Sequence, residues 1–305
     1  MTSIITVANM KGGAGKSTVV ALLSYGLAEK GRKVLVIDLD PQSHLSSFFI
    51  PAEQLEEVHG GSLDLVKFGF EEGGVKIHEV SFSDGVKLDL VPSGLNYALD
   101  LMIGQAPLSD PLMLYRQFER NWRALKIYDY VLIDTAPEPF LPTQWGLYAA
   151  DYILSPTSLE ELSLLGIKML VNKALPYVME IRETTRRGAP WLLGVVLNNI
   201  SRRYKSDTIS RVEHALNKFI KSVPLVFNYT YSRLFFGARI YSNYYLSRLP
   251  HTPSKLRIPL DSAMRWYKDL KDSVTSLADE VELRIKVIEE LKIQNRVLAI
   301  RKGVA

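Results

Sequence analysis

The sequence predicts an α/β fold: a mostly parallel twisted sheet with helices on both faces, plus a helical extension at the C-terminus. Short, continuously apolar runs rich in Val, Ile and Leu alternate with longer amphipathic stretches. Parallel strands have this character because helices cover both faces of their sheet. From Asp261 onward an apolar stripe with spacings of three and four predicts helix.

Each element follows from its own stretch of sequence. Strands are predicted at 4–8, 33–39, 88–91, 130–134, 152–155, 192–197 and 223–227. Helices are predicted at 16–30, 110–125, 158–185, 205–221 and from 261 onward. The glycine-rich, charged stretch 70–87 predicts a surface loop or hairpin, whereas 228–259 has no clear periodicity. We divide the chain into a domain over 1–280 and a helical tail over 281–305, packed on the domain or extending from it.

Composition excludes several classes of chemistry. The chain of 305 residues contains no cysteine, which excludes disulfides, thiol catalysis, cysteine zinc sites and iron–sulfur clusters. No charged segment precedes the first apolar run, so we expect a first strand there rather than a signal peptide. No uncharged apolar run reaches about eighteen residues, so no membrane span is expected.

The stretch KGGAGKST follows an apolar strand and begins a helix, which is the context of a phosphate-binding loop. Its glycines let backbone N–H groups approach the phosphates, and the helix N-terminus adds its dipole. Lys16 is expected to bridge the β- and γ-phosphates, and the Ser17 hydroxyl to bind Mg²⁺. The predicted nucleotide-binding residues of this loop are Lys11, Gly12, Gly13, Ala14, Gly15, Lys16, Ser17 and Thr18.

Two apolar strands end in aspartates. Asp38 and Asp40 are two residues apart, so they share one face at the carboxyl end of a strand, where open α/β sheets bind ligands. Buried acids repel each other unless a cation lies nearby, and a magnesium–phosphate site would supply one. Asp134 ends a second apolar run in the manner of a Walker B aspartate, and we expect it to hold Mg²⁺ through a water molecule.

The phosphate-binding loop departs from the usual pattern, because Met10 occupies its first glycine position and Lys11 follows. In this respect the loop resembles the deviant Walker A family of P-loop ATPases, which includes the ParA and MinD proteins. The resemblance continues in the stretches DLDPQ (38–42), LVPSG (90–94), DTAP (134–137) and GVVLNNIS (194–201). It covers residues 3 to about 200 with specific motifs.

The resemblance implies roles for these residues. Two subunits would close around two nucleotides, and each Lys11 would reach the phosphates bound by its partner. Such a cation would stabilise charge on the γ-phosphate in the transition state, as an arginine finger does. Asp40 would position the attacking water, and Asp38 would support the metal's water shell. The implied catalytic residues are Lys11, Lys16 and Asp40, the metal residues are Ser17, Asp38 and Asp134, and the cofactors are ATP and Mg²⁺.

The strand ending in Asn198 resembles the one whose asparagine reads adenine in this family. An amide can pair with both the N6 amino group and a ring acceptor of the base. Asn199 is the alternative residue for this role, and an asparagine that only forms a turn at the strand end is another interpretation.

Residues 201–260 carry eleven Lys or Arg, two acids and ten aromatic residues, although the whole chain has a net charge of only +4. Such a region suits a polyanion, but a solvated basic surface is the alternative. ParA proteins bind DNA without sequence preference, so the resemblance implies DNA contacts by Arg202, Arg203, Lys205, Arg233 and Arg239. Phosphate contacts of this kind carry affinity but little sequence information.

The function implied is that of a weak ATPase that drives plasmid or chromosome partition. It would bind nonspecific DNA as an ATP-bound homodimer, and a ParB-like or other centromere-binding protein would stimulate hydrolysis. We expect a cytoplasmic, nucleoid-associated protein without stable membrane association. A MinD-like, membrane-associated positioning ATPase is the alternative, and a nucleotide-dependent scaffold without turnover is a third. The tail's many acids argue against membrane insertion.

Overall fold

The computed structural model describes residues 2–58, 61–71, 74–94, 97, 110–185, 187–223, 234–242, 246 and 260–301. Eight strands form one sheet in the order β3-β4-β2-β5-β1-β6-β7-β8. The strands are β1 (Ser3–Val7), β2 (Val34–Asp38), β3 (His78–Ser81), β4 (Lys87–Val91), β5 (Tyr130–Asp134), β6 (Tyr152–Thr157), β7 (Trp191–Ile200) and β8 (Phe235–Tyr241). Neighbouring strands are parallel except β3 and β4, which pair antiparallel.

Helices connect these strands. They are α1 (Lys16–Glu29), α2 (Ser46–Phe49), α3 (Ala52–Leu55), α4 (Ser62–Phe68), α5 (Met113–Arg120), α6 (Trp122–Leu125), α7 (Leu141–Ala149), α8 (Glu161–Met169), α9 (Leu175–Thr184), α10 (Ser206–Ser222), α11 (Leu260–Trp266) and α12 (Lys268–Arg301). A π-helical turn, Leu170–Ala174, joins α8 to α9. The predicted α/β class and C-terminal helix are confirmed.

The helices cover both faces of the sheet because strand side chains alternate between faces. In β2, Val34 and Val36 belong to the core that includes α1, α11 and α12. Leu35 and Ile37 belong to the opposite core, which includes α4, α5 and α7. Farther along that second face, β6 and β7 pack against α8, α9 and α10.

The C-terminal helix α12 is part of the first core. Six residues of the predicted apolar stripe are buried: Leu270, Val274, Leu277, Val281, Ile285 and Ile288. The helix is continuous through residue 280, where we placed the domain boundary. Val281, Ile285 and Ile288 lie in the same core cluster as α1, so the described part of the tail packs on the domain.

The sequence predicted six of the strands in the right places, and β3 with its turn to β4 lies in the stretch 70–87, for which it predicted a surface loop or hairpin. It missed β8, whose seven residues lie in the stretch without clear periodicity, and it missed α7. Of the strand predicted at 223–227, only Val223 is described, and it ends α10. The other four residues of that prediction lie outside the described residues.

Candidate functional site

The two acidic strand ends meet at the carboxyl edge of the sheet. Asp38 of β2 is in register with Asp134 of β5, and Asp134 is in register with Val7 of β1. The phosphate-binding loop follows β1, so parallel pairing alone brings the loop and both aspartates to one edge. This is the edge at which open α/β sheets bind ligands.

The loop leads directly into α1. Gly15 caps the helix in the left-handed region, with φ of 88°, and no side chain caps the helix. The first backbone N–H groups of α1 are therefore available to an anion. Lys16 is buried, and its Nζ lies 3.5 Å from the Lys11 carbonyl oxygen. Burial lowers the pKa of Lys16, whereas Asp134, Asp40 and Glu138 oppose that shift.

A cavity of about 600 Å³ opens beside the loop. Its walls come from the phosphate-binding loop, from both aspartate-bearing loops and from the ends of β7 and β8. The lining includes Gly12, Gly13, Gly15, Lys16, Ser17, Thr18, Asp40, Pro41, Gln42, Ala136, Pro137, Asn198, Asn199 and Tyr241. Its size suits a nucleotide-sized ligand.

Asp134 is a fully buried charged group at the site. Neither of its fully buried carboxylate oxygens accepts a well-aligned hydrogen bond. Burial raises the pKa of Asp134 well above its usual value, Asp38 adds to the shift, and Ser17 and Lys16 oppose it. A buried carboxylate without partners is costly unless a cation accompanies it.

Asp38 is held by the chain itself. Its Oδ2 accepts hydrogen bonds from the Ser46 N–H at 2.8 Å and the Ser46 hydroxyl at 2.6 Å, and its Oδ1 accepts the Asp40 N–H at 3.0 Å. Burial raises the pKa of Asp38 to about 7, although the hydrogen bonds from Ser46 oppose this shift. Asp40 lies at the cavity wall, where its Oδ1 accepts the Gln42 N–H at 2.9 Å.

These residues fit a magnesium–nucleotide complex. The buried Asp134 carboxylate, the Ser17 hydroxyl and the free N-terminus of α1 are the groups that such a complex requires. Within the described ranges, no three His, Asp or Glu side chains gather into a metal site. Phosphate oxygens and water would therefore complete the coordination of Mg²⁺, which usually keeps several waters in nucleotide sites.

Lys11 is placed differently from Lys16. It is partly buried and is not among the described residues that line the cavity of its own protomer. Asn9, just before it, is fully buried, and its Nδ2 donates to the carbonyl oxygens of Pro156 at 2.8 Å and Ser163 at 3.2 Å. The loop thus begins at a point tied to the end of β6 and the start of α8.

The two candidate adenine-binding asparagines both line the cavity. Asn198 is buried against the phosphate-binding loop, and its Nδ2 donates to the Ala14 carbonyl oxygen at 3.3 Å. A Cβ on Gly15 would lie 1.8 Å from that Nδ2, so the approach requires glycine. Asn199 is exposed and has a positive φ of 56°. Asn198, the first choice from the sequence, thus lies beside the phosphate-binding loop. Its role in binding adenine stays a prediction.

The predicted DNA-contacting residues differ in availability. Arg203 and Lys205 are exposed, and neither forms an ion pair within the described residues. Arg202 is exposed, pairs with Asp269 and lies over the Tyr241 ring at 5.0 Å. Arg239 pairs with Glu213 at 3.1 Å and keeps about a quarter of its side chain exposed. Arg233 lies outside the described residues.

Three residues at the site escaped the sequence analysis. Ser46 holds Asp38, and its hydroxyl also accepts the Ser93 N–H at 2.9 Å. Tyr97 is fully buried. Burial raises the pKa of its hydroxyl, and the charges of the nearby Asp38 and Asp40 raise that pKa further. Tyr241 lines the cavity and lies under Arg202. No motif marks any of them: Ser46 lies eight residues after Asp38, and Tyr97 and Tyr241 approach the site from more distant parts of the chain.

A phosphate-binding loop between a strand and a helix, at the carboxyl edge of a parallel sheet and facing two strand-end aspartates, defines a P-loop nucleotide-binding protein. A family model described as an AAA domain matches residues 2–187. An uncharacterised protein of Methanocaldococcus jannaschii is 32% identical over 233 residues, which is 73% of this chain and 82% of that protein. The chain belongs to the ParA-type family of P-loop ATPases.

Other relatives carry partition names. A probable plasmid-partitioning protein ParA of Thermus thermophilus is 32% identical over 180 residues, 59% of this chain and 51% of that protein. The sporulation initiation inhibitor protein Soj of Bacillus subtilis is 28% identical over 182 residues, 56% of this chain and 64% of that protein. This chain therefore spans only about half to two-thirds of the length of these two relatives.

Solved structures support the fold. The structure of pNOB8 ParA has a TM-score of 0.75 and 23% identity and covers 94% of this chain and 99% of its own. A second pNOB8 ParA structure, with the same TM-score and 22% identity, is bound to nonspecific DNA. The Mycobacterium smegmatis cobyrinic acid a,c-diamide synthase, with a TM-score of 0.56 and 25% identity over 74% of this chain and 83% of its own, holds ADP and magnesium. The ligands of such neighbours agree with the predicted cofactors, ATP and Mg²⁺.

Within the described ranges, one helical stretch, 161–184, is long and apolar enough by length and composition to cross a membrane. It comprises α8, the π-helical turn and α9. Its apolar residues Ile167, Leu170, Val171, Leu175 and Val178 are buried in the core on the second face of the sheet. The side of this stretch that carries Leu162, Leu165 and Met169 is exposed, so the stretch packs on the domain by its other residues only.

Proposed function

We propose that this protein is a partition ATPase whose ATP-bound homodimer binds nonspecific DNA and releases it after hydrolysis. The cavity beside the phosphate-binding loop would hold ATP, with Ser17 and Asp134 toward Mg²⁺ and Asp40 toward the attacking water. The observation that carries the proposal is the fully buried Asp134 carboxylate, which is in register with Asp38 and accepts no well-aligned hydrogen bond. A bound cation would stabilise a charged carboxylate in such surroundings.

The position of Lys11 supports a dimer. It flanks the loop but does not line the cavity of its own protomer, so its ammonium group is available to a second nucleotide. A cation that arrives only when two subunits meet would couple hydrolysis to dimerisation. Hydrolysis would be weak in the isolated protein, and a ParB-like or other centromere-binding partner would stimulate it.

The neighbourhood of Tyr241 supports a link between nucleotide and DNA. Tyr241 lines the nucleotide cavity, and its ring lies under the guanidinium of Arg202. Arg203 and Lys205 lie one and three residues after Arg202, just beyond the end of β7. A change in the cavity can therefore reach the basic surface through one side chain. Such a protein would be cytoplasmic and associated with the nucleoid.

The decisive experiment measures binding to a duplex of arbitrary sequence with ADP, with ATP, and with ATP plus the Asp40→Ala variant. We expect binding with ATP only and longer retention by Asp40→Ala, because that variant would hold ATP without turnover. Lys205→Ala should weaken binding, whereas Lys76→Ala, which removes the same charge from an exposed site near the β3 edge, should not. Binding that ignores the nucleotide, or is absent in every state, would refute the proposal.

The alternative, a MinD-like positioning ATPase, shares the nucleotide site and differs only in its surfaces. Cosedimentation with anionic liposomes in ATP, without DNA binding, would favour it. A protein that binds ATP and DNA but releases no phosphate, even with a partner present, would instead be a nucleotide-dependent scaffold.

A further inference from the structure

The backbone of α8 makes a close contact with the residue on which the proposed dimer depends. A Cβ added at Gly166 would lie 2.0 Å from Asn9 Oδ1, 2.8 Å from Lys11 Cβ and 3.0 Å from the Lys11 N atom. Real Cβ atoms do not approach other atoms so closely, so this contact requires glycine. Glycine inside a helix costs roughly 0.5–1 kcal/mol relative to alanine, so its presence here needs a packing reason.

Asn9 completes the contact from the other side. Its side chain is fully buried and bridges two elements by donating to Pro156 of β6 and Ser163 of α8. The Ser163 hydroxyl in turn accepts hydrogen bonds from the Thr157 hydroxyl at 3.0 Å and the Ser158 N–H at 3.1 Å. The start of the phosphate-binding loop, the end of β6 and the first turn of α8 therefore form one buried polar network.

An exposed apolar stripe on α8 adjoins this contact. Leu162, Leu165 and Met169 are each about half exposed and lie three and four residues apart, so they share one side of the helix. Gly166, four residues after Leu162 and three before Met169, is buried at the border of this stripe, where it faces Lys11 and Asn9. A displacement of α8 by a subunit that contacts this stripe would move the backbone at Lys11 directly.

We infer that Gly166 and Asn9 are positioning residues for Lys11: the contact between α8 and the loop fixes where the lysine is presented to a second nucleotide. The inference rests on the proposed function, in which Lys11 acts across the dimer. Neither Gly166 nor Asn9 is among the described residues that line the nucleotide cavity. Their substitution should therefore slow hydrolysis without weakening the binding of Mg-ATP to the protomer.

The first test compares Gly166→Ala with Gly188→Ala, a glycine with no atom within 4 Å of an added Cβ. We expect kcat to fall on the order of 10²-fold in Gly166→Ala, because misplacement by about 1 Å has that effect on positioned groups. The Kd for a fluorescent ATP analogue should stay that of the Gly188→Ala control, whereas the melting temperature should fall moderately, because the added Cβ overpacks a buried contact. If Gly166→Ala does not fold, Asn9→Ser carries the same test. A kcat within twofold of the control overturns the inference.

The second test asks whether the effect acts across the dimer. A trace of wild-type chain is mixed, before ATP is added, with an excess of Asp40→Ala chain or of Asp40→Ala/Gly166→Ala chain. Nearly every wild-type chain then pairs with a variant chain, and the Lys11 of that variant chain reaches the nucleotide in the wild-type site. We expect hydrolysis to be lost only when the partner is the double variant. A trace of Gly166→Ala chain in an excess of Asp40→Ala chain should hydrolyse ATP as the wild-type trace does, because the Lys11 of its partner is correctly placed. Equal activity in all three mixtures overturns the inference.

The same mixtures are repeated with Lys11→Ala in place of Gly166→Ala. This comparison separates the positioning role of Gly166 from the proposed role of Lys11 across the dimer. If Lys11→Ala reproduces the pattern across the dimer and Gly166→Ala does not, the inference about positioning fails and the dimer mechanism stands. If Lys11→Ala itself has no effect on its partner's site, the proposed role of the lysine fails, and the positioning role fails with it.

Discussion

At the scale of single residues, the site is a set of unfavourable interactions that a ligand would relieve. Asp134 is fully buried and accepts no well-aligned hydrogen bond, Lys16 is buried beside it, and Asp38 is buried two residues from Asp40. Charged groups in such surroundings destabilise the empty protein. The same charged groups would interact favourably with a metal ion and phosphates. We therefore expect them to lower the stability of the nucleotide-free protein and to strengthen its binding of Mg-ATP.

Asp134→Asn tests this expectation. We expect the nucleotide-free variant to be more stable than wild type, by up to about 1–3 kcal/mol, because the cost of burying a charge, which Ser17 and Lys16 offset only in part, is removed. Wild type should gain about 2.7 kcal/mol from Mg-ATP at a hundred times its Kd, and the variant should lose most of that gain. Thermal unfolding with and without Mg-ATP measures both effects, with exposed Asp272→Asn as the control. Lower stability of the empty Asp134→Asn protein would contradict the argument.

Tyr241 permits a test of the link between cavity and basic surface. Removing its ring in Tyr241→Ala should weaken ATP-dependent DNA binding roughly two- to fivefold, because a cation–π contact at an exposed site is worth about 0.5–1 kcal/mol. Tyr241→Phe keeps the ring and should bind as wild type does. Fluorescence anisotropy with labelled duplex at saturating ATP measures the difference. Equal loss in both variants would show that the hydroxyl, not the stacking, matters.

Motif residues could be predicted from the sequence because their function depends on local backbone shape. The glycines, Lys16 and Ser17 act within eight consecutive residues, and Asp38 and Asp134 each end a recognisable apolar run. Ser46, Tyr97, Gly166 and Tyr241 could not be predicted as site residues. Each acts through contacts with chain segments that folding alone brings near.

At the scale of elements, the pairing of α12 with the sheet edge depends on one buried cation. The fully buried Arg284 donates to the carbonyl oxygens of Leu193 at 2.6 Å and Phe235 at 2.8 Å, and it pairs with Glu280 at 2.7 Å. Glu280 in turn accepts the backbone N–H groups of Gly237 and Ala238 in the edge strand β8. The helix thus satisfies backbone groups that an edge strand leaves open.

Arg284→Met should therefore be strongly destabilising. The substitution leaves Glu280 and several buried carbonyl groups without their partner, and breaking a buried pair in this way costs about 3–5 kcal/mol. Lys286→Met on the exposed side of the same helix should change stability by less than about 0.5 kcal/mol. Urea unfolding gives both free energies of unfolding. A loss below about 1 kcal/mol in Arg284→Met would mean that the pair contributes little to the attachment of the helix.

The elements that the sequence missed have a common cause. The edge strand β8 has a bulged register with β7 and glycine and arginine within it, so neither a continuous apolar run nor strict alternation marks it. The long helix predicted at 158–185 is interrupted by a π-helical turn whose residues have ordinary helical character in the sequence. Local pattern predicts an element where burial is uniform, and it fails where a neighbouring element dictates the backbone.

At the scale of the whole molecule, charge is distributed unevenly. Residues 201–260 carry a net +9 by sequence, whereas the remainder of the chain is net negative. A concentration of positive charge of this kind attracts a polyanion and should make binding depend steeply on salt.

The double variant Arg203→Ala/Lys205→Ala tests this distribution. The slope of log K against log salt for ATP-dependent DNA binding should become shallower by about 2, since each phosphate contact contributes about 0.9. The loss of affinity should be the same for unrelated duplex sequences, because phosphate contacts carry no base information. Titrations at several salt concentrations measure the slope. An unchanged slope would place the DNA contacts elsewhere on the molecule.

The sequence by itself determined the α/β class, the phosphate-binding loop and the strand-end aspartates, because each depends on short-range pattern and on the fixed geometry of parallel strands. Only the tertiary structure decided that Asp134 is buried without a well-aligned hydrogen bond, that Asn198 packs on the loop, that α12 is held by Arg284 and that α8 contacts Lys11 through Gly166. These are contacts between residues far apart in the chain. Their distances follow from how helices and sheet pack together, which no local pattern encodes.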